Sequence, residues 1–203
     1  MNYNSLGIEN WTSCEEFLAN TTFDPETVID IDWKIFYFWH FETDESYILR
    51  FSIPYPVLID RFRTELHDVY PSVNWNDSVL FMETSIDFSA LFILTETPGK
   101  FKIVPNLAFH YKDIPLAEFG LKLVYPGYLG ILNCKFRFCY ALAPVDKMPT
   151  EKNIHEEAQR LGFKGDFNRS YLLEEQMTPD LSIFDDDDIE RDPEELYDED
   201  GED

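Results

Sequence analysis

Glycine is scarce in this 203-residue chain, with 8 residues, cysteine scarcer at 3, and bases few, with 16 Lys and Arg against 40 Asp and Glu. Few glycines leave little material for a phosphate cradle, and no P-loop, Gly-x-Gly-x-x-Gly or Gly-x-Ser-x-Gly pattern occurs. Three cysteines, Cys14, Cys134 and Cys139, do not have the spacing of a zinc site. A formal charge of −24 excludes gripping nucleic acid or an anionic membrane through the field, because displacing counterions from phosphates needs Lys and Arg. No apolar run reaches the roughly 18 residues of a spanning helix. The four histidines, His40, His67, His110 and His155, share no metal-ligand spacing, and Glu65 beside His67-Asp68 reads as a solvated face. The chain is read as non-enzymatic, with no cofactor or metal.

What is abundant is aromatic: 18 Phe, 11 Tyr and 4 Trp within a hydrophobic fraction of 44%. The acids are abundant too, and unevenly placed. From Glu174 to Asp203 there are sixteen acids and one base, Arg191. Such a segment has too little apolar surface to offset its ordering entropy, and its charges repel. Residues 178–203 are therefore expected to be a disordered acidic tail and residues 1–177 a single domain with an N-terminal extension. Three roles suit the tail: self-repulsion and solubility, recruitment of a basic protein with Phe184, Ile189, Leu196 and Tyr197 as anchors, or weak calcium binding by Asp185 to Asp188.

Four Asn-x-Ser/Thr sequons, at Asn10, Asn20, Asn76 and Asn168, come from only ten asparagines, where about one would arise by chance. The N-terminus has no basic start followed by an apolar stretch. Both facts suit a secreted glycoprotein whose signal peptide has been removed; a cytosolic protein with chance sequons is the alternative.

Period two dominates the chain. Ile31, Trp33, Ile35, Tyr37, Trp39 and Phe41 alternate through one long strand, and Tyr47, Leu49, Phe51 and Ile53 through the next. Residues 57–70 suit a short helix or a strand equally. Strands follow at 79–83 and 89–95, then a Pro98-Gly99 connection leads into Lys100-Phe101-Lys102-Ile103-Val104. Phe119, Leu121, Leu123 and Tyr125 line one strand face, Pro126-Gly127 turns, and the pattern resumes from Leu129 to Ala143. One helix is expected after Pro149, with Thr150 as N-cap, Ile154, Ala158 and Leu161 as an apolar stripe and Gly162 as its left-handed terminator. Strands joined by turns predict an all-β antiparallel sandwich or closed barrel, with the helix packed outside.

A Trp-bearing first strand, a run of antiparallel strands and one late helix ending in Leu161-Gly162-Phe163 resemble the lipocalin family in its divergent invertebrate, insect-like branch. The segment from Phe23-Asp24-Pro25 to Trp33-Lys34-Ile35-Phe36-Tyr37 is similar to the family's leading segment and Gly-x-Trp motif. Pro98 to Ile103 resembles its mid-barrel hairpin, and Tyr125 to Cys134 the region of its second motif. Ile31 stands where the family has glycine, Gly127 where it has aspartate, and Ala143-Pro144 where an arginine closes the barrel floor, so closure must be made differently here. The resemblance implies an up-and-down barrel and a Cys14–Cys134 disulfide with Cys139 unpaired; three free cysteines are the alternative. Cys134 and Cys139 are five apart on an apparently continuous strand, where the family needs a hairpin, which leaves room only for a short turn near 135–137.

Trp33, Tyr37, Trp39, Phe51, Phe101, Leu121 and Tyr125 are expected to face one interior. They suit a solid core or the wall of a cavity. The resemblance favours a carrier of a small, flat or elongated hydrophobic ligand; an acidic, inhibitor-type scaffold that binds a basic partner is the other reading.

Overall fold

A computed structural model describes residues 10–40, 46–166 and 168–170. The expected acidic tail lies outside the described residues. Eight antiparallel strands close into an up-and-down barrel, with a short ninth strand added. In chain order they are β1 (Asp32–Trp39), β2 (Ile48–Ser52), β3 (Ser78–Thr84), β4 (Ser89–Leu94), β5 (Lys100–Pro105), β6 (Ala117–Val124), β7 (Tyr128–Asn133), β8 (Cys139–Pro144) and β9 (Asn168–Ser170). Each pairs with the next through β8, and β8 returns to β1. The lower half of β1 pairs with β2 at residues 32–34, and its upper half with β9 at residues 37–39.

Turn chemistry sets these boundaries. Gly99 has φ +78°, and a Cβ there would lie 2.9 Å from the Leu121 carbonyl oxygen, so only glycine fits the β4–β5 connection. The run from Leu129 to Ala143 is not one strand but a hairpin. Asn133 Oδ1 accepts from the backbone N–H groups of Lys135 and Phe136, at 3.0 and 2.9 Å, and Arg137 takes a positive φ of 56°. The turn thus falls near residues 135–137, where the resemblance implied a hairpin that the alternation pattern did not show.

Inward residues of all eight strands form the barrel core, which includes Trp33, Phe51, Phe92, Phe101, Leu121 and Leu142. Two further clusters cover parts of the outer wall. In one, α1 (Cys14–Leu18) and α3 (Ile154–Gln159) pack on outward residues of β1, β7 and β8. Gly130 makes room for α1, since a Cβ there would lie 2.7 Å from the Phe17 ring. Ile154, Ala158 and Leu161 are buried as the stripe predicted, and Gly162 has φ +70°. Thr150 precedes a 3₁₀ turn (Glu151–Asn153) and makes no side-chain cap, so the expected N-cap bond is absent.

In the other, α2 (Pro56–Leu66) buries Phe62 and Leu66 against outward Leu91, Ile93 and Val104 of β4 and β5. The ambiguous stretch is therefore a helix, and the chain has more helix than the single one expected. The short α1 carries a complete capping box, Ser13 with Glu16, a Ser-x-x-Glu signal present in the sequence.

Candidate functional site: the upper half of the barrel

The barrel is filled unevenly along its axis. At its lower end Trp33 donates its indole N–H to the Val28 carbonyl at 2.9 Å, and Ile29 forms a parallel bridge with Phe51. Phe23 packs edge-on against Phe101 and Phe101 against Phe92, with ring centroids 5.7 and 5.9 Å apart. The segment leading into β1 thus seals the floor that lacks an arginine.

Above this layer lies a cavity of about 310 Å³. Its walls are Ile35, Leu49, Met82, Phe92, Ile103, Ile131 and Leu142, and Phe88, Leu107, Ala117, Phe119, Phe138 and Tyr140 surround its upper part. Tyr47, Tyr140 and Asn133 contribute the polar side chains, and no charged side chain among the described residues lines it. Asn133 belongs there because it shares inward parity with Leu129 and Ile131 on β7.

Of the seven residues expected to line this interior, the structure divides the set. Trp33, Phe51, Phe101 and Leu121 do point inward and are buried, but in the packed lower layer rather than the cavity. The cavity-lining residues that sequence reading missed lie one strand repeat away from them: Ile35 from Trp33, Leu49 from Phe51, Ile103 from Phe101 and Phe119 from Leu121. The alternation signal contained them; what it lacked was the height at which the packing stops.

Tyr37, Trp39 and Tyr125 are corrections. A β-bulge between Ile35 and Tyr37 adds one residue to β1, so Phe36 and Tyr37 both face outward and the parity reverses beyond them. Phe38 then faces inward, while Tyr37 and Trp39 join the outer cluster beside α3. Tyr125 lies past the last pair of β6, Val124 with Tyr128, and is 83% exposed because no ladder directs it inward.

No family model, curated protein or solved structure matches the chain. The geometry therefore carries the functional reading.

A second, more open groove of about 650 Å³ lies outside the barrel between β1, α3 and β9. Tyr37 donates its hydroxyl proton to Asn168 Oδ1 at 2.6 Å, and His155 Nδ1 lies 2.9 Å from the Tyr37 hydroxyl oxygen. Burial pushes the Tyr37 phenol above the usual tyrosine range. On the neighbouring face, Lys122 donates to the Leu161 carbonyl at 3.1 Å, at the end of α3, and its burial lowers the ammonium's pKa. Polar Asn10, His155, Gln159, Lys164, Asp166 and Asn168 stand among the aromatic rings of this outer groove, whereas the barrel cavity is lined mostly by apolar side chains, so the cavity is the better site for an apolar ligand.

Cys14 and Cys134 form a disulfide with Cα atoms 5.0 Å apart, and Cys139 is free and buried. The bridge ties α1 to the turn after β7. Asn10, Asn20, Asn76 and Asn168 are all exposed. Among the described residues no group of His, Cys, Asp or Glu side chains is arranged to hold a metal ion, and no helix is long and apolar enough to cross a membrane.

Proposed function

We propose that this protein is a secreted, lipocalin-like carrier that holds a small hydrophobic ligand in the upper half of its barrel. The observation that carries this reading is the apolar cavity, sealed below by the Trp33 and Phe101 layer and walled by strands that the closed sheet fixes in place. Removing an apolar molecule from water yields about 25 cal/mol per Å² of buried surface, and a preformed cavity adds little ordering cost. Secretion is supported by the disulfide, which persists in oxidising compartments, and by four exposed sequons.

The test is a titration with the neutral fluorophore N-phenylnaphthylamine. Fluorescence should rise to saturation at one site. Ala117, inward at the start of β6, has the smallest side chain lining the cavity. Ala117→Trp should abolish the rise while leaving the unfolding midpoint within a few degrees of the parent. A parent protein that gives no saturable rise would sink the carrier reading.

A further inference from the structure

The cavity also restricts what chemistry it can accept. Its lining holds eighteen residues, of which Tyr47 and Tyr140 alone are titratable. Lys135, in the adjoining turn, has its ammonium 5.2 Å from the Phe136 ring centre and does not line the cavity. A carboxylate or phosphate drawn into this space would lose its hydration and find no Lys or Arg among the described residues that line it. Burial of an unpaired charge in this way is strongly unfavourable. The chain's net charge of −24 adds repulsion at longer range.

The polar side chain that matters is Asn133. It is 4% exposed and lines the cavity from the upper end of β7. Its Oδ1 is held by two backbone N–H donors, from Lys135 and Phe136, and that pairing fixes which end of the amide is oxygen. Its Nδ2 has no hydrogen-bond partner among the described residues. An amide donor without a protein partner, at a place from which a ligand would displace solvent, is satisfied when an acceptor arrives. We infer that the ligand is an uncharged hydrophobic molecule bearing an acceptor oxygen, such as a ketone or ester carbonyl, which takes the Asn133 amide proton. This rests on the carrier reading and adds the chemical class.

Three probes of nearly equal size decide it by calorimetry with the full chain: pentylbenzene, valerophenone and the carboxylate anion 5-phenylpentanoate (phenylvalerate). Valerophenone should bind roughly three- to tenfold more tightly than pentylbenzene, the worth of one hydrogen bond. Phenylvalerate should bind at least about 100-fold more weakly than the ketone. Asn133→Asp keeps an oxygen to cap the turn and removes the donor, so it should erase the ketone's advantage over pentylbenzene. If phenylvalerate matches the ketone, or if ketone and hydrocarbon bind equally to the parent chain, the inference is wrong and the carrier reading stands. If none of the three binds, the carrier reading itself fails. The comparison on the parent chain holds even if the variant does not fold.

Discussion

Tyr37 gives its single hydroxyl proton to Asn168 Oδ1, 2.6 Å away, and this decides the state of a third residue. His155 Nδ1, 2.9 Å from the same hydroxyl oxygen, can bond to it only by donating. The imidazole must therefore carry a proton on Nδ1. Nitrogen-15 NMR at neutral pH should show the Nδ1–H tautomer for His155, and Tyr37→Phe should shift it toward Nε2–H. The same variant should lower stability by about 1 kcal/mol, the usual net worth of such a bond.

Burial raises the phenol pKa of Tyr37, Tyr70 and Tyr128 alike. Each group's folded value lies above its unfolded value near 10, so the stability it contributes is fully present below about pH 10 and lost as pH rises through the folded value. Denaturant midpoints measured from pH 8 to 12 should be flat at first and then fall. In Tyr37→Phe the fall should be shallower.

At the floor, the Trp33 indole fills space beneath the cavity and bonds to Val28. Trp33→Ala should cost roughly 3–5 kcal/mol, as large core truncations do. Trp33→Phe keeps most of the packing and orphans the Val28 carbonyl, for about 1–3 kcal/mol. A Trp33→Phe variant with the parent's urea midpoint would show that the hydrogen bond contributes nothing, and equal losses in the two variants would show that the packing lost only in the alanine contributes nothing.

These contrasts show what the sequence could convey. Barrel architecture was legible because period two persists through strand after strand, and α3 because its stripe and terminal glycine coincide. The disulfide followed from a resemblance and is present. The reversal at Phe36 was not legible: a bulge leaves the residues apolar on both sides of the irregularity, so Tyr37 and Trp39 read as inward when they are outward. Apolar character alone cannot tell a barrel interior from an outer wall covered by a helix. The same confusion hid the β7–β8 turn, where Phe136 and Phe138 continue the alternation through a segment that Asn133 bends.

The disulfide joins residues 120 apart in sequence. Replacing Cys14 and Cys134 by serine should cost roughly 2–5 kcal/mol, through a less constrained unfolded chain. Cys139 has no exposed surface, and burial drives its thiol pKa well above the ordinary value. A thiol reagent should therefore modify no cysteine in the native oxidised protein and one after denaturation. Modification of the native protein at the rate of a free thiol would contradict this burial.

The last prediction separates the carrier from the acidic scaffold. Residues 178–203 hold fourteen of the forty acids, yet no charged side chain among the described residues lines the cavity. Charge outside the cavity reaches a neutral ligand weakly, because fields at the surface are screened over about 8 Å at physiological ionic strength. A chain ending at residue 177 should therefore bind valerophenone within twofold of the full chain, at low and at high salt. Binding of a basic protein, if the tail recruits one, should behave in the opposite way. It should weaken steeply as salt rises from 50 to 300 mM and disappear on truncation. A truncated chain that loses the neutral ligand would mean that the tail helps to form the site, and the carrier reading would have to include it.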